Sequence, residues 1–191
     1  VIASLTTAQV AALSGSRLEA LTTAQMAALT SDQAVALTTD QIQVLRADQV
    51  AAMATSPFAA LATEQIGALS SAQLARLTTA QLTALDTEQI VALRTAAITG
   101  LTASLVASLT SDQVAALTTE QIAALGTRQI TGFETADLNA MTSEQLQALT
   151  SRQVASLTTN QISNLTTTQL IAIEAEDIAA LDRKSTRLNS S

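Results

Sequence analysis

A period of eight residues runs through the chain without a slip, and it constrains the fold more than any other feature. Large apolar residues stand at every eighth position from Leu5 to Leu181, which makes 22 complete octapeptides between Leu5 and Ala180. The consensus is Leu-Thr-Thr-x-Gln-Ile-Ala-Ala, and its positions are numbered 1 to 8 below. One octapeptide buries too little apolar surface to offset the entropy of ordering its backbone, so the repeats must stabilise one another.

Two simple structures do not fit this repeat. A straight α-helix turns by about 100° per residue, so eight residues overshoot two turns by about 80° and the apolar stripe would wind around the helix. A half-buried β-strand needs apolar and polar residues in alternation. The octapeptide instead has its apolar residues side by side at positions 6, 7, 8 and 1, followed by four polar positions.

Short helices fit each position of the repeat. Thr at position 2 is a favourable N-cap, Gln at position 5 completes a capping box, and the residues at positions 1 and 6 form a hydrophobic staple. Of the 15 acidic residues before Asp182, 14 lie at positions 2, 4 or 5, where the helix dipole favours negative charge. The sequence therefore predicts an all-α solenoid of short two-turn helices, one per 8-residue repeat. Position 3 stays open as an alternative cap, because it holds Ser or Thr more often than position 2.

The range of residue types found at each repeat position predicts which positions face the core. We expect positions 1, 6 and 8 to be buried and position 7 to be partly exposed, with small residues at position 8 allowing close approach. Each helix is expected to stack mainly on its neighbours in sequence. Gln occupies position 5 in 16 of the 22 repeats. It is interpreted either as a helix cap alone or as part of a glutamine ladder that joins adjacent repeats. Pro57 also occupies position 5, where the first turn of a helix tolerates a missing N–H.

The ends of the chain differ from the array. We expect residues 1–181 to form one octapeptide-repeat array truncated at both ends, because Val1–Ser4 fit positions 5 to 8 of a preceding unit. The last ten residues, 182–191, contain the single Lys of the chain and resemble the translation of a common sequencing adapter. We expect this segment to be a non-native tail.

Composition argues against catalysis. The chain has no His and no Cys, so imidazole bases, thiol nucleophiles and the usual zinc ligands are absent. Carboxylates come close together in sequence at Glu174, Glu176 and Asp177, and again at Asp86 and Glu88. They are interpreted as solvated acids of first helical turns, not as a cation site or an acid–base pair. The prediction is a protein that is not an enzyme, with no catalytic, cofactor-binding or metal residues and no cofactor.

Charge and hydropathy limit the kinds of partner that the chain is expected to bind. A formal net charge of −7 argues against nucleic-acid binding, which needs basic surface. The apolar runs are too short to cross a bilayer, so no membrane insertion is predicted. No small-molecule substrate is expected. The expected partners are neighbouring repeats or a protein partner that the sequence does not identify.

The array as a whole resembles the Leu-Thr-Thr-x-Gln-Ile-Ala-Ala octapeptide arrays of large bacterial proteins, some of them surface-associated or secreted. This resemblance implies a structural repeat segment that acts as a spacer, stalk or protein-interaction scaffold within a larger bacterial protein, outside the cell or at its surface. The alternative is a binding module that uses regular rows of Thr side chains to contact ice, a glycan or a protein.

Overall fold

The computed structural model describes residues 2–173, and in that range the secondary structure is helical throughout, with no β-strand. A 3₁₀ turn at Ile2–Ser4 precedes 21 α-helices, so the all-α prediction is confirmed. The helices are α1 Thr7–Ala11, α2 Gly15–Glu19, α3 Thr23–Ala27, α4 Ser31–Val35, α5 Thr39–Val44, α6 Ala47–Ala52, α7 Thr55–Ala59, α8 Thr63–Ala68, α9 Ser71–Leu74, α10 Thr79–Thr83, α11 Thr87–Ala92, α12 Thr95–Ile98, α13 Ala103–Val106, α14 Ser111–Ala116, α15 Thr119–Ala124, α16 Thr127–Ile130, α17 Thr135–Ala140, α18 Ser143–Gln147, α19 Ser151–Ser156, α20 Thr159–Ser163 and α21 Thr167–Ala172.

These helices are short. Each has four to six residues, and with its two capping residues it covers six to eight, or about two turns. Isolated helices of this length are not stable in water. Their stability must therefore come from contacts between repeats.

Within each unit, helices three apart in the chain pack against one another. The chain divides into two compact units, Val1–Leu101 and Thr102–Ser191. In the first unit, three stacks follow this rule: α1 with α4, α7 and α10; α2 with α5, α8 and α11; α3 with α6, α9 and α12. In the second unit the stacks are α13 with α16 and α19, α14 with α17 and α20, and α15 with α18 and α21. Each unit is thus a solenoid, as predicted, and it has three helices per turn.

The prediction that each helix stacks mainly on its sequence neighbours is wrong. The chain changes direction between consecutive helices. Where the residue at position 1 is the C-cap, it can leave the helix in an extended conformation, as Leu45 does with φ −62° and ψ 135°. The helix that lies alongside is therefore one turn, or about 24 residues, away in sequence.

The core is formed by positions 1, 5 and 6. Position 6 is buried in every helix from α1 to α19, and position 1 is buried in every repeat from Leu29 to Ile173, as predicted. Position 7 is exposed or half-buried throughout the described repeats, also as predicted. Burial of position 8 was a wrong prediction, because in residues 2–173 only Ala68 and Ala172 are buried there. Position 5, which is usually glutamine, is the third position of the repeat that is buried.

Small residues at position 8 nevertheless allow close packing between turns, as expected. A Cβ atom on Gly100 would lie 2.0 Å from the carbonyl oxygen of Ser71, one turn below. A Cβ atom on Gly132 would lie 2.6 Å from the carbonyl oxygen of Ala103. At these two places the backbones of stacked helices approach so closely that only glycine fits without a shift.

Candidate functional site: the glutamine corners

The N-terminus of each regular helix is closed by two reciprocal hydrogen bonds. In α15, the Thr118 hydroxyl accepts the Gln121 N–H at 3.2 Å, and the Gln121 Oε1 accepts the Thr118 N–H at 2.9 Å. This arrangement is a capping box, and it satisfies two backbone donors that the helix itself leaves unpaired. The N-cap is at position 2, which decides against the alternative at position 3.

Thirteen of the 21 described helices have the complete box, with Thr, Ser or Asp as the N-cap. Where the N-cap residue has no hydroxyl, the glutamine still accepts its N–H, as at Ala62 with Gln65 and at Gly126 with Gln129, both at 2.7 Å. The glutamine contribution to the cap is therefore retained more widely than the hydroxyl contribution.

The repeat that contains proline lacks both the donor and the acceptor of the hydroxyl bond in the capping box. Pro57 is the third residue of α7 and has no N–H for an N-cap side chain to accept. Its N-cap residue is Ala54, which has no side-chain acceptor to offer. The donor and the acceptor are thus missing together, so neither is left unpaired.

The glutamine side chain also reaches the turn below. In α9, the Gln73 Oε1 accepts the Ser70 N–H at 2.7 Å, while its Nε2 donates to the carbonyl oxygens of Ile42 at 2.8 Å and Leu45 at 2.7 Å. Those two carbonyls belong to the last turn and the C-cap of α5. One amide side chain therefore closes the N-terminus of its own helix and the C-terminus of the fourth helix before it. We call this arrangement a glutamine corner.

The same contact recurs in both units. The Nε2 atoms donate to carbonyl oxygens 28, 30 or 31 residues earlier in the chain, which are at positions 1, 7 and 6 of the repeat. The glutamines that do so include Gln33, Gln41, Gln49, Gln65, Gln73, Gln81, Gln89, Gln145, Gln153, Gln161 and Gln169. A glutamine ladder is therefore present, but the prediction that it joins adjacent repeats is wrong, because it joins successive turns.

These corners explain how so short a helix ends without the usual signals. Many helices end at a glycine in the left-handed conformation, which lets backbone N–H groups cap the last carbonyls. In residues 2–173 no residue has positive φ. The carbonyls that such a motif would satisfy accept the glutamine amide from the turn above instead.

Two arginines take part in the same contacts. Position 5 of α12 is the buried Ala97, and the corner below it is held by Arg94, whose Nη2 donates to the carbonyls of Ala68 and Leu69, both at 3.1 Å. Arg46 supplements Gln49 in α6 by donating to the carbonyls of Glu19 and Leu21. Neither role is visible in the octapeptide pattern, since arginine occupies the N-cap position there.

Arg46 and the first-turn acids show how local charge is arranged. Arg46 Nε lies 3.1 Å from Asp48 Oδ1, and this ion pair lowers the pKa of the exposed Asp48 carboxyl. The pKa values of Glu120 and Glu144 are also lowered, mainly because each carboxylate accepts its own backbone N–H, and then through the N-cap threonine hydroxyl. These acids belong to helix N-termini, as the sequence predicts.

The carboxylates singled out in the sequence do not form a shared site in the described region. Asp86 Oδ1 accepts the Gln89 N–H at 2.8 Å and serves as the N-cap of α11, while Glu88 is exposed in its first turn. Glu174, Glu176, Asp177 and the segment 182–191 lie outside the described residues. Within residues 2–173 there is no group of three or more acidic side chains placed to hold a metal ion.

The hydroxyl groups fall into two sets with different surroundings. Those at position 2 accept backbone N–H groups as N-caps. Those at position 3 lie beside them at the surface, and stacking brings them into rows. In the first unit one row follows the stack of α1, α4, α7 and α10 with a hydroxyl in every helix. Its members are Thr7, Ser31, Thr55 and Thr79.

The fold and the corners define the class: an all-α repeat protein built as a solenoid. The ALTTAQ repeat family matches residues 2–39, 58–95, 106–133 and 130–167, which together are more than half of the chain, and the chain belongs to this family. No curated protein matches it. No solved structure matches it either. Over residues 2–173, none of the helices has the length and apolar character needed to cross a membrane.

Proposed function

We propose that the array is a non-enzymatic structural segment, a spacer, stalk or protein-interaction scaffold within a larger bacterial protein, located outside the cell or at its surface. The observation that carries this proposal is the glutamine corner. It ties each turn to the one below through hydrogen bonds that are independent of any ligand.

The contrast between the buried and the exposed positions of the repeat supports the same role. Side chains that hold the turns together are at positions 1, 5 and 6, whereas positions 4 and 7 are mostly exposed and vary in charge and size. A solenoid of this kind can be extended turn by turn without a new fold, because its contacts are between successive turns. That property suits a segment whose length, rather than a pocket, serves the parent protein.

A mechanical experiment tests the proposal. The full chain is held between two handles and stretched in a single-molecule instrument. We expect it to lengthen in repeated small steps, each releasing at most about one turn, roughly 80 Å of extended chain for 24 residues, and to refold when the force is lowered. A single abrupt rupture that releases a whole unit would contradict an extensible spacer.

The alternative binding function has one specific observation in its favour. The position 3 hydroxyls are not the ones that cap the helices, and in the row of Thr7, Ser31, Thr55 and Thr79 they lie on stacked helices. A regular row of hydroxyls is a surface that ice or a glycan can match. Replacing Thr7, Thr55 and Thr79 with Val should then abolish adsorption to ice or to a polysaccharide column. If the unmodified chain is not retained by either, binding to ice or to a glycan is contradicted.

A further inference from the structure

One corner of the second unit has an acid where most of the others have an amide. Position 5 of α17 is Asp137, and its side chain is only 5% exposed. Its Oδ2 accepts the N–H of Glu134 at 3.0 Å, which reproduces the glutamine contribution to the cap. The second half of the corner needs a donor, and an ionised carboxylate has none.

The sequence separations found at the other corners identify the carbonyl groups that would accept a hydrogen bond from a donor at position 137. In the next helix, the Gln145 Nε2 donates to the carbonyls of Val114 and Leu117, which are 31 and 28 residues earlier. The same separations from Asp137 lead to the carbonyls of Val106 and Leu109. The Val106 carbonyl accepts the Leu109 N–H at 3.1 Å. In the part of the chain that the structure describes, no side chain donates to the Leu109 carbonyl.

We propose that Asp137 is a proton-operated latch between two turns of the second unit. In its neutral form, the carboxyl takes a proton from solvent and donates it in a hydrogen bond to the Leu109 carbonyl, as the glutamine amide does at the other corners. In its ionised form, the carboxylate faces backbone carbonyl oxygens without a donor, and the corner is weakened. The latch closes as the pH falls.

The surroundings favour the neutral form. Burial raises the pKa of Asp137, the N–H of Glu134 lowers it, and the negative charge of Glu134 raises it again. The net direction is upward from the ordinary value of 3.8. Because the folded state holds this proton more tightly than the unfolded chain, the contribution of Asp137 to stability is largest below pH 3.8. It falls as the pH rises through the raised pKa and is constant above it.

Few other charges are near enough to produce the same effect. The helices that pack against α17 are α14 and α20. The titratable group of α14 is the exposed Asp112, and α20, Thr159–Ser163, has none. On α17 itself and its N-cap, Glu134 is the other acid. Asp112 and Glu134 are therefore the groups that a control must address.

The direct test is a carbon-detected NMR titration of the aspartate carboxyls in the full chain, combined with thermal unfolding of variants. We expect the Asp137 carboxyl to titrate above the range of the exposed aspartates. Asp137→Asn has the same length and a permanent N–H donor. It should raise the melting temperature at pH 7 by about 2–4 °C, and this gain should vanish as the pH is lowered through the Asp137 titration. Asp112→Asn and Glu134→Gln should leave the pH dependence of the unmodified chain in place.

Three results would overturn the proposal. The first is an Asp137 carboxyl that titrates at or below the ordinary range. The second is an Asp137→Asn variant with the same pH dependence as the unmodified chain, since the latch would then lie elsewhere. The third is stabilisation of the unmodified chain, but not of Asp137→Asn, by Na⁺ or Ca²⁺ at pH 7, which would show that a cation rather than a proton occupies the corner.

Discussion

Two helices with nearly the same sequence, α3 and α9, show how the octapeptide acts at two levels. Gln25 in α3 is half-buried, and its side chain bonds within the capping box of its own helix: its Oε1 accepts the Thr22 N–H at 2.8 Å. Gln73 in α9 makes the same cap but is buried, because its Nε2 also binds the carbonyls of Ile42 and Leu45. The cap belongs to one repeat alone. The corner exists only where a turn lies below.

This difference predicts that one residue type has two energetic roles. At Gln25, the side chain serves a single helix end, and a lost cap of this kind costs about 1 kcal/mol. At Gln73, it serves two helix ends within the core, and its removal leaves buried groups without partners at about 1–3 kcal/mol each. Substitutions at these two positions therefore measure the corner separately from the cap.

The largest expected effect comes from Gln73→Glu. The glutamate keeps an oxygen for the Ser70 N–H, but it replaces the amide donor with a negative charge beside the carbonyls of Ile42 and Leu45. A buried charge without a partner costs about 3–5 kcal/mol at pH 7. Gln25→Glu, the matched control, should change the free energy of unfolding by less than about 0.5 kcal/mol. Denaturant unfolding of both variants checks this, and equal losses would show that Nε2 of Gln73 contributes nothing.

The next effect concerns close approach between turns. Gly100→Ala places a methyl group against the backbone of Ser71, and the two helices must move apart, at a cost of about 1–3 kcal/mol. Gly126→Ala adds the same methyl group at an N-cap, where its nearest neighbour is the flexible Gln129 side chain at 3.5 Å. We expect only the first variant to have a lower melting temperature. If both variants melt at the same temperature, the close approach of the Gly100 and Ser71 backbones is contradicted.

The smallest effect in this series tests the corner that has no glutamine. Arg94→Ala removes the donor to the carbonyls of Ala68 and Leu69 and should cost about 1–2 kcal/mol. Adding Ala97→Gln to that variant puts a glutamine at position 5 of the same helix and should restore most of the loss. The double variant and the Arg94 single variant are compared by chemical unfolding. A double variant no more stable than the single one would mean that Arg94 has a different role.

The sequence predicts whatever lies within one repeat. The pair Thr118 and Gln121 is recognisable as a capping box because its bonds join residues three apart. Burial at positions 1 and 6 is also predictable, since large apolar residues recur there. These features follow from local geometry and from the repeat itself.

Features that span two turns are much harder to predict. The partners of Gln73 are 28 and 31 residues earlier, and no periodicity of eight specifies which turn lies beneath which. The expected burial of position 8 failed for the same reason. The alanines there are apolar, which predicts burial, whereas it is the polar Gln at position 5 that is buried, with hydrogen-bond partners supplied by the neighbouring turn. The sequence indicates the contact of Arg94 with the turn below in one way only: the same repeat has Arg at position 2 and Ala97 at position 5.

Hydrogen exchange of the full chain with Gln73→Ala tests most directly whether one side chain joins two distant helix ends. We expect faster exchange in two separate segments: the N-terminus of α9, and the end of α5, where the Leu45 N–H is bonded to the Ile42 carbonyl at 3.3 Å. Gln25→Ala should change exchange only around α3. Faster exchange confined to α9 in the Gln73→Ala variant, with Leu45 as protected as in the unmodified chain, would contradict the glutamine corner.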